Sequence, residues 1–200
     1  MPEQPVHGSL DATFFDMNRL LLILYLDETL IFATERALNR TSDFRVGPYH
    51  VYRRPCLDEF LQVCATHFDL AVWTSASAGY AKEVIAHIFP ADLRLVFIWS
   101  RDRCVPKVSP DQQIVDWLKD LKKVKRRGNA LERVLMVDDS SEKLARNYGN
   151  HVPVSAFEGD PTDNELQLLT CYLPQLAVLP DVRRIEKRHW REQVWNQKNT

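Results

Sequence analysis

The 200-residue chain lacks any C-x-x-C pair, because Cys56, Cys64, Cys104 and Cys171 stand apart. This argues against a structural zinc site and dithiol redox chemistry, and leaves reduced thiols in a cytoplasmic protein as the simple reading. No sign of charge dominates either. The formal net charge is −1, so the overall field gives no argument for nucleic acid or an anionic membrane as partner. The longest apolar run, Leu20 to Leu26, falls far short of the ~20 residues that a spanning helix needs. It also lacks a signal peptide's basic leader and small-residue cleavage site. Internal repeats and low-complexity segments are missing as well.

What is present is the composition of a soluble globular chain, with 45% hydrophobic and 26% charged residues. Its length suits one domain with a full core. Pro2 and Pro5 lie in a stretch of little periodicity, so residues 1–18 are expected to form a loosely packed arm. Residues 19–180 carry the domain. Residues 181–200 form a charged tail that includes Trp190 and Trp195.

The pattern centres on Leu20-Leu21-Leu22-Ile23-Leu24-Tyr25-Leu26-Asp27-Glu28-Thr29-Leu30. A continuous apolar run that stops at an acid and a hydroxyl reads as a buried parallel strand ending at polar chemistry. Further strands are expected at Tyr49 to Arg53, Phe68 to Trp73, Leu95 to Trp99, Arg133 to Val137 and Val152 to Val154. Helical spacing runs from Leu57 through Phe60, Leu61 and Cys64, and again over Ala78 to Phe89, Asp111 to Val124, Ser141 to Asn147 and Glu165 to Leu176. Phe32 to Arg45 reads as polar loop. Strands alternating with helices imply an α/β domain, a parallel sheet with helices on both faces. Three strands end in polar groups: Tyr25-x-Asp27, Thr74-Ser75 and Asp138-Asp139. The carboxyl ends of parallel strands share one rim, where open α/β sheets bind ligands.

Tyr25-Leu26-Asp27-Glu28-Thr29-Leu30 resembles the first motif, D-x-D-E-T-L, of the small C-terminal-domain phosphatase (NLI-interacting-factor-like) branch of the haloacid dehalogenase superfamily. The resemblance extends through Arg54-Pro55, Asp58-Glu59-Phe60-Leu61, Trp73-Thr74-Ser75-Ala76-Ser77, Lys119-Asp120-Leu121, Asp138-Asp139-Ser140 and Asn147-Tyr148-Gly149-Asn150. From Lys119 to Asp160 it looks most like bacterial members. It implies a Rossmann-like domain without a large cap. The implied reaction is Mg²⁺-dependent hydrolysis of a phosphomonoester, small or on a phosphorylated protein segment, through an aspartyl-phosphate.

Carried over residue by residue, the resemblance makes Asp27 the general acid/base and its carbonyl a metal ligand. Thr74 becomes the hydroxyl on a phosphoryl oxygen, and Lys119 the lysine that neutralises phosphate and nucleophile, with Lys107 as fallback. Asp139 becomes the direct ligand of Mg²⁺, supported by Asp138. Thr29 and Ser75 fall among the substrate-binding positions. These roles suit the chemistry, since phosphoryl transfer needs an in-line nucleophile, a cation and donors on the oxygens. Mg²⁺ in turn prefers hard oxygen ligands.

The departure falls at the nucleophile, where Tyr25 stands in place of the aspartate. A phenol with a reference pKa of ~10 is a poor anionic ligand and a poor nucleophile at neutral pH. Three readings stay open at this point. The chain is a pseudophosphatase acting through partners; or it is an active-family member carrying a nucleophile substitution, natural or introduced; or it uses Tyr25 itself as the covalent nucleophile. A scaffold that holds an acidic partner on the basic run Lys119 to Arg127 or on the tail from Arg183 to Arg191 is a further class.

Overall fold

In the computed structural model, residues 19–108 and 115–198 are described, so the arm expected at residues 1–18 lies outside them. The chain runs β1 (Leu20–Leu24), β2 (Ile31–Thr34), β3 (Phe44–Val46), β4 (Tyr49–Arg53), α1 (Leu57–His67), β5 (Phe68–Trp73) and α2 (Ala78–Ile88). It continues with β6 (Leu95–Trp99), β7 (Val105–Val108), β8 (Val115–Leu118), α3 (Lys122–Lys125) and β9 (Val134–Asp138). After the 3-10 turns of Ser141–Asn150 come β10 (His151–Pro153), α4 (Glu165–Ala177) and α5 (Trp190–Lys198).

Five strands form a parallel sheet in the order β10-β9-β1-β5-β6. The apolar run at Leu20 is thus the centre of the molecule, paired with β5 on one side and β9 on the other. Every residue of β1 is buried, which is why its sequence is continuous rather than alternating. Leu20, Leu22 and Leu24 face one core with residues of α1, α2, α4 and α5. Leu21 and Ile23 face a second core with Trp73, Phe97, Trp99, Cys104, Leu121, Val124 and Leu144. Long helices therefore cover one face, and short elements with large aromatic rings cover the other.

Two regions depart from expectation. Phe32 to Arg45 is not merely loop. Strands β2 and β3 flank β4 in a three-stranded antiparallel flap. At four and three residues, β2 and β3 are too short to show a clear alternation in the sequence. The helix expected over Asp111 to Val124 is replaced, among the described residues, by the antiparallel hairpin β7–β8 and the single turn α3. Val115 and Trp117 favour strand geometry, and tertiary pairing overrides the local helical spacing.

The stretch from residue 181 packs onto the domain. Trp190 is fully buried, stacks on Tyr172 at 5.4 Å and donates to the Pro153 carbonyl at 2.8 Å. Arg54, also buried, holds the flap to the sheet. Its guanidinium makes a two-pronged pair with Asp163 at 2.8 Å for each bond, and donates to the Thr29 and Ser155 carbonyls. The fork suits arginine and no shorter cation. Truncating one partner of such a buried pair costs about 3–5 kcal/mol, so Arg54→Ala is expected to lower urea-unfolding stability by about that amount. Trp190→Ala, which opens a large cavity, is expected to lose about 3–5 kcal/mol as well. A loss below ~1 kcal/mol in the latter would mean that the C-terminal stretch does not fold cooperatively with the domain.

Candidate active site

The three polar strand ends meet on one rim because β1, β5 and β9 are parallel neighbours. Tyr25 continues β1, its amide donating to the Val137 carbonyl at 3.1 Å. The chain then turns sharply. Glu28 takes a left-handed backbone (φ 59°), and the Leu26 carbonyl accepts from the amides of Thr29, Leu30 and Ile31. A non-glycine residue in that region costs on the order of 1–3 kcal/mol and persists only where its surroundings impose it. Here the Glu28 amide donates to the Ile31 carbonyl, and the Glu28 carbonyl accepts from Phe157. The turn brings the Thr29 hydroxyl back to Asp139 Oδ1 at 3.0 Å.

Tyr25 is buried and lies among cations. Lys119 Nζ sits 3.5 Å from the ring centroid and Lys143 Nζ 4.3 Å from it. Lys143 also donates to the phenol oxygen at 3.2 Å, and Ser75 Oγ shares a hydrogen bond with that oxygen at 2.9 Å. Burial pushes the Tyr25 phenol up to about 12, against the opposing pull of Lys143 and the Ser75 hydrogen bond. At neutral pH it is a neutral hydroxyl.

The carboxylates surround this ring. Asp27 accepts from the Tyr80 hydroxyl at 2.6 Å, and burial raises its pKa even though that bond and the two lysines oppose the rise. Asp138, fully buried, pairs with Lys119 through Oδ2, while its Oδ1 accepts from the Ser140 amide. Asp139 is raised first by burial and next by the Asp138 charge. Lys119 is enclosed completely, and burial lowers its pKa against the pull of Asp138. Thr74 is buried too. Its Oγ1 accepts from the Ala76 amide at 3.0 Å and so keeps its own proton to donate.

Of the residues singled out from sequence, Tyr25, Asp27, Thr29, Thr74, Ser75, Lys119, Asp138 and Asp139 lie on this rim. Lys119 arrives there as the residue following β8, not from a helix. Lys107 does not join the cluster. It is exposed on β7, paired in register with Asp116. Sequence reasoning passed over Lys143 and Tyr80. Lys143 stands on the turns just after the third polar strand end, and its carbonyl accepts from the Lys119 amide at 2.8 Å. Position beside Asp138-Asp139-Ser140 was the available signal, and a short polar helix masked it. Beside the cluster opens a cleft of about 500 Å³ lined by Tyr25, Asp27, Tyr49, Ser75, Tyr80 and Arg101, among others.

Comparison with known proteins bears on the family and the fold. The chain is 28% identical over 174 residues to CTD small phosphatase-like protein 2 of Dictyostelium discoideum, a match covering 82% of this chain and 29% of that protein. It is 28% identical over 181 residues to the human carboxy-terminal domain RNA polymerase II polypeptide A small phosphatase 1, covering 86% and 65%. A further match, 31% over 161 residues, is CTD small phosphatase-like protein 1 of Caenorhabditis elegans, covering 76% and 30%. The chain thus spans between 29% and 65% of the lengths of these relatives. Its fold resembles that of Fcp1, described as an essential RNA polymerase II CTD phosphatase, with a TM-score of 0.55 at 22% identity over 92% of this chain and 62% of that one. A family model for NLI interacting factor-like phosphatases matches residues 20–183, from the first residue of β1 to beyond α4, and on that match the chain belongs to the NLI interacting factor-like phosphatase family.

Proposed function

We propose that this chain is a non-hydrolysing member of its phosphatase family, which binds a phosphoserine- or phosphothreonine-bearing protein segment in the cleft beside Tyr25. The observation that carries this reading is the state of Tyr25 itself. A phosphatase nucleophile of this type must be an anionic oxygen free to attack in line. The Tyr25 phenol is neutral, engaged by Ser75 and Lys143, and its ring lies against the Lys119 ammonium. A covalent route through the phenolate would need its proton removed near pH 7. Burial moves its pKa in the opposite direction.

The donor set is also a poor fit for Mg²⁺, the cation on which the family's reaction generally depends. Mg²⁺ demands a near-octahedral shell of hard, preferably anionic oxygens. Tyr25 supplies a neutral phenol where the resemblance expects a carboxylate. Both oxygens of Asp138 are already engaged, by Lys119 and by the Ser140 amide. The Lys143 ammonium stands among the remaining acids. We therefore assign no step to a metal.

What the site can still do is bind. Thr74 and Ser75 bring hydroxyls, and Arg101 donates from Nε to the Ser75 carbonyl at 2.7 Å while its guanidinium lies over Trp117. Tyr49 and Tyr80 pack edge to face at 5.9 Å. The cleft is open, in keeping with an extended protein segment rather than an enclosed small molecule. Four free cysteines support a cytoplasmic location for the chain. The human relative's name describes a phosphatase for a polypeptide domain, which supports the choice of ligand class.

The direct test is p-nitrophenyl phosphate turnover. The chain as it stands is expected to match the buffer blank, and Tyr25→Asp is expected to exceed it by roughly 10²-fold or more, since a missing attacking group leaves only residual acceleration from binding. Turnover by the unaltered chain, with phosphotyrosine found at Tyr25, would overturn the proposal. In parallel, fluorescence anisotropy should show a phosphoserine peptide binding more tightly than its unphosphorylated twin. Arg101→Ala should narrow that difference by about tenfold, the scale of one charge-assisted hydrogen bond.

A further inference from the structure

Lys143 is the charged side chain that the expected roles leave without a purpose. It sits half-buried on the turn after Asp139, its carbonyl fastened to the Lys119 amide. Its ammonium reaches the Tyr25 hydroxyl at 3.2 Å and lies 4.3 Å from the ring. The acids within its electrostatic reach come from two strand ends: Asp27 and Glu28 after β1, and Asp138 and Asp139 at β9. Burial works against its charge, yet the Asp138 and Asp139 carboxylates and the hydrogen bond to Tyr25 raise its pKa above the usual lysine value. Lys119, the other cation of the rim, is fully committed to Asp138. The buried and half-buried carboxyls of Asp27, Asp138 and Asp139 therefore lie in the field of two ammonium groups, one of them Lys143.

We propose that Lys143 is a built-in cation that compensates the acids of the rim in place of a divalent metal, so that the site excludes free divalent cations until Lys143 is removed. Two observations support this: the ammonium donates to the Tyr25 hydroxyl just past β1, and the Lys143 carbonyl accepts from the Lys119 amide just past β8. A primary ammonium offers one positive charge and three donors, which suits a ring of separate acceptors. It also repels a second cation entering the same cluster, the more strongly where burial lowers the screening. The exchange of a carboxylate for the Tyr25 phenol fits the exchange of a divalent charge for a monovalent one. The inference rests in part on the reading of Tyr25 as non-nucleophilic, but its test does not involve turnover.

The test is Mn²⁺ binding to the full chain, followed by the electron paramagnetic resonance signal of free Mn²⁺, with thermal unfolding as a second readout. The unaltered chain and Lys143→Arg are expected to leave Mn²⁺ free and to show no metal-dependent rise in Tm. Lys143→Met, which keeps the side chain's bulk and removes its charge, is expected to bind Mn²⁺ about tenfold or more tightly than the unaltered chain, with a matching rise in Tm on adding metal. Asp139→Asn added to Lys143→Met should abolish the gain. If the unaltered chain binds Mn²⁺ as tightly as Lys143→Met, or if neither binds, the ammonium is not what keeps cations out and the proposal fails. Lys143→Gln serves as a second charge-free variant if circular dichroism shows Lys143→Met misfolded. Phosphatase activity in the unaltered chain would overturn the proposed function and leave the metal result standing by itself.

Discussion

The structure depends on keeping charge balanced at the buried end of a sheet. A parallel sheet covered on both faces excludes water along its whole length, and its carboxyl ends deliver their polar groups to one place. Here that place receives Asp27, Asp138 and Asp139, with Glu28 exposed at its edge. Isolated carboxylates in such surroundings are costly, and they either pair or take up protons. Asp138, with no exposure at all, pairs with Lys119. The others are held by hydroxyls from Thr29 and Tyr80 and by the field of Lys143. Residues from β1, β5, β8 and β9 must all be in register for this balance to close.

The Tyr25 ring takes its position from the same constraint. Its face lies toward the Lys119 ammonium and its hydroxyl toward Lys143. An aromatic face over a desolvated cation is worth up to about 2 kcal/mol, so the ring gives the buried lysine a partner that a small side chain would not provide. The phenol cannot do the same for a phosphate, because it is neutral and occupies the approach to the rim. The arrangement satisfies the fold's electrostatics at the point where the family's chemistry would begin.

Much of this was legible in the sequence, and the parts that were not share a physical cause. The run at Leu20 and the matching Phe68 to Trp73 and Leu95 to Trp99 announced the buried sheet, because burial on both faces leaves no room for polar residues. The rim residues followed from where those runs stopped. The antiparallel β2–β4 flap was obscured because β2 and β3 are only four and three residues long, too short for a readable alternation. Residues around Val115 were misjudged as helix because a strand that exists only through its hairpin partner leaves little local trace. Lys143 was hidden for a different reason. Its importance comes from three-dimensional proximity to acids on two other segments, and a lysine on a short polar turn is indistinguishable in sequence from a solvated one. Trp190 carried the opposite ambiguity, since the charged residues around it gave no hint that the ring itself would be buried.

The groups that hold the rim in shape are largely separate from the groups that would carry chemistry on it. Asp138 accepts from the His151 ring and the Val154 amide through its carbonyl, so its backbone belongs to the β9–β10 edge as much as to the site. Arg54 reaches the Thr29 and Ser155 carbonyls, and Ser155 in turn is met by Arg191 and Glu165. These bonds join the flap, the rim and the C-terminal helix into one contiguous polar network that does not include the Tyr25 hydroxyl. A change at residue 25 therefore removes the phenol and its packing against Lys119 while leaving these bonds in place. The surrounding geometry can persist through such a change, and any charge it leaves unbalanced has only to be met locally.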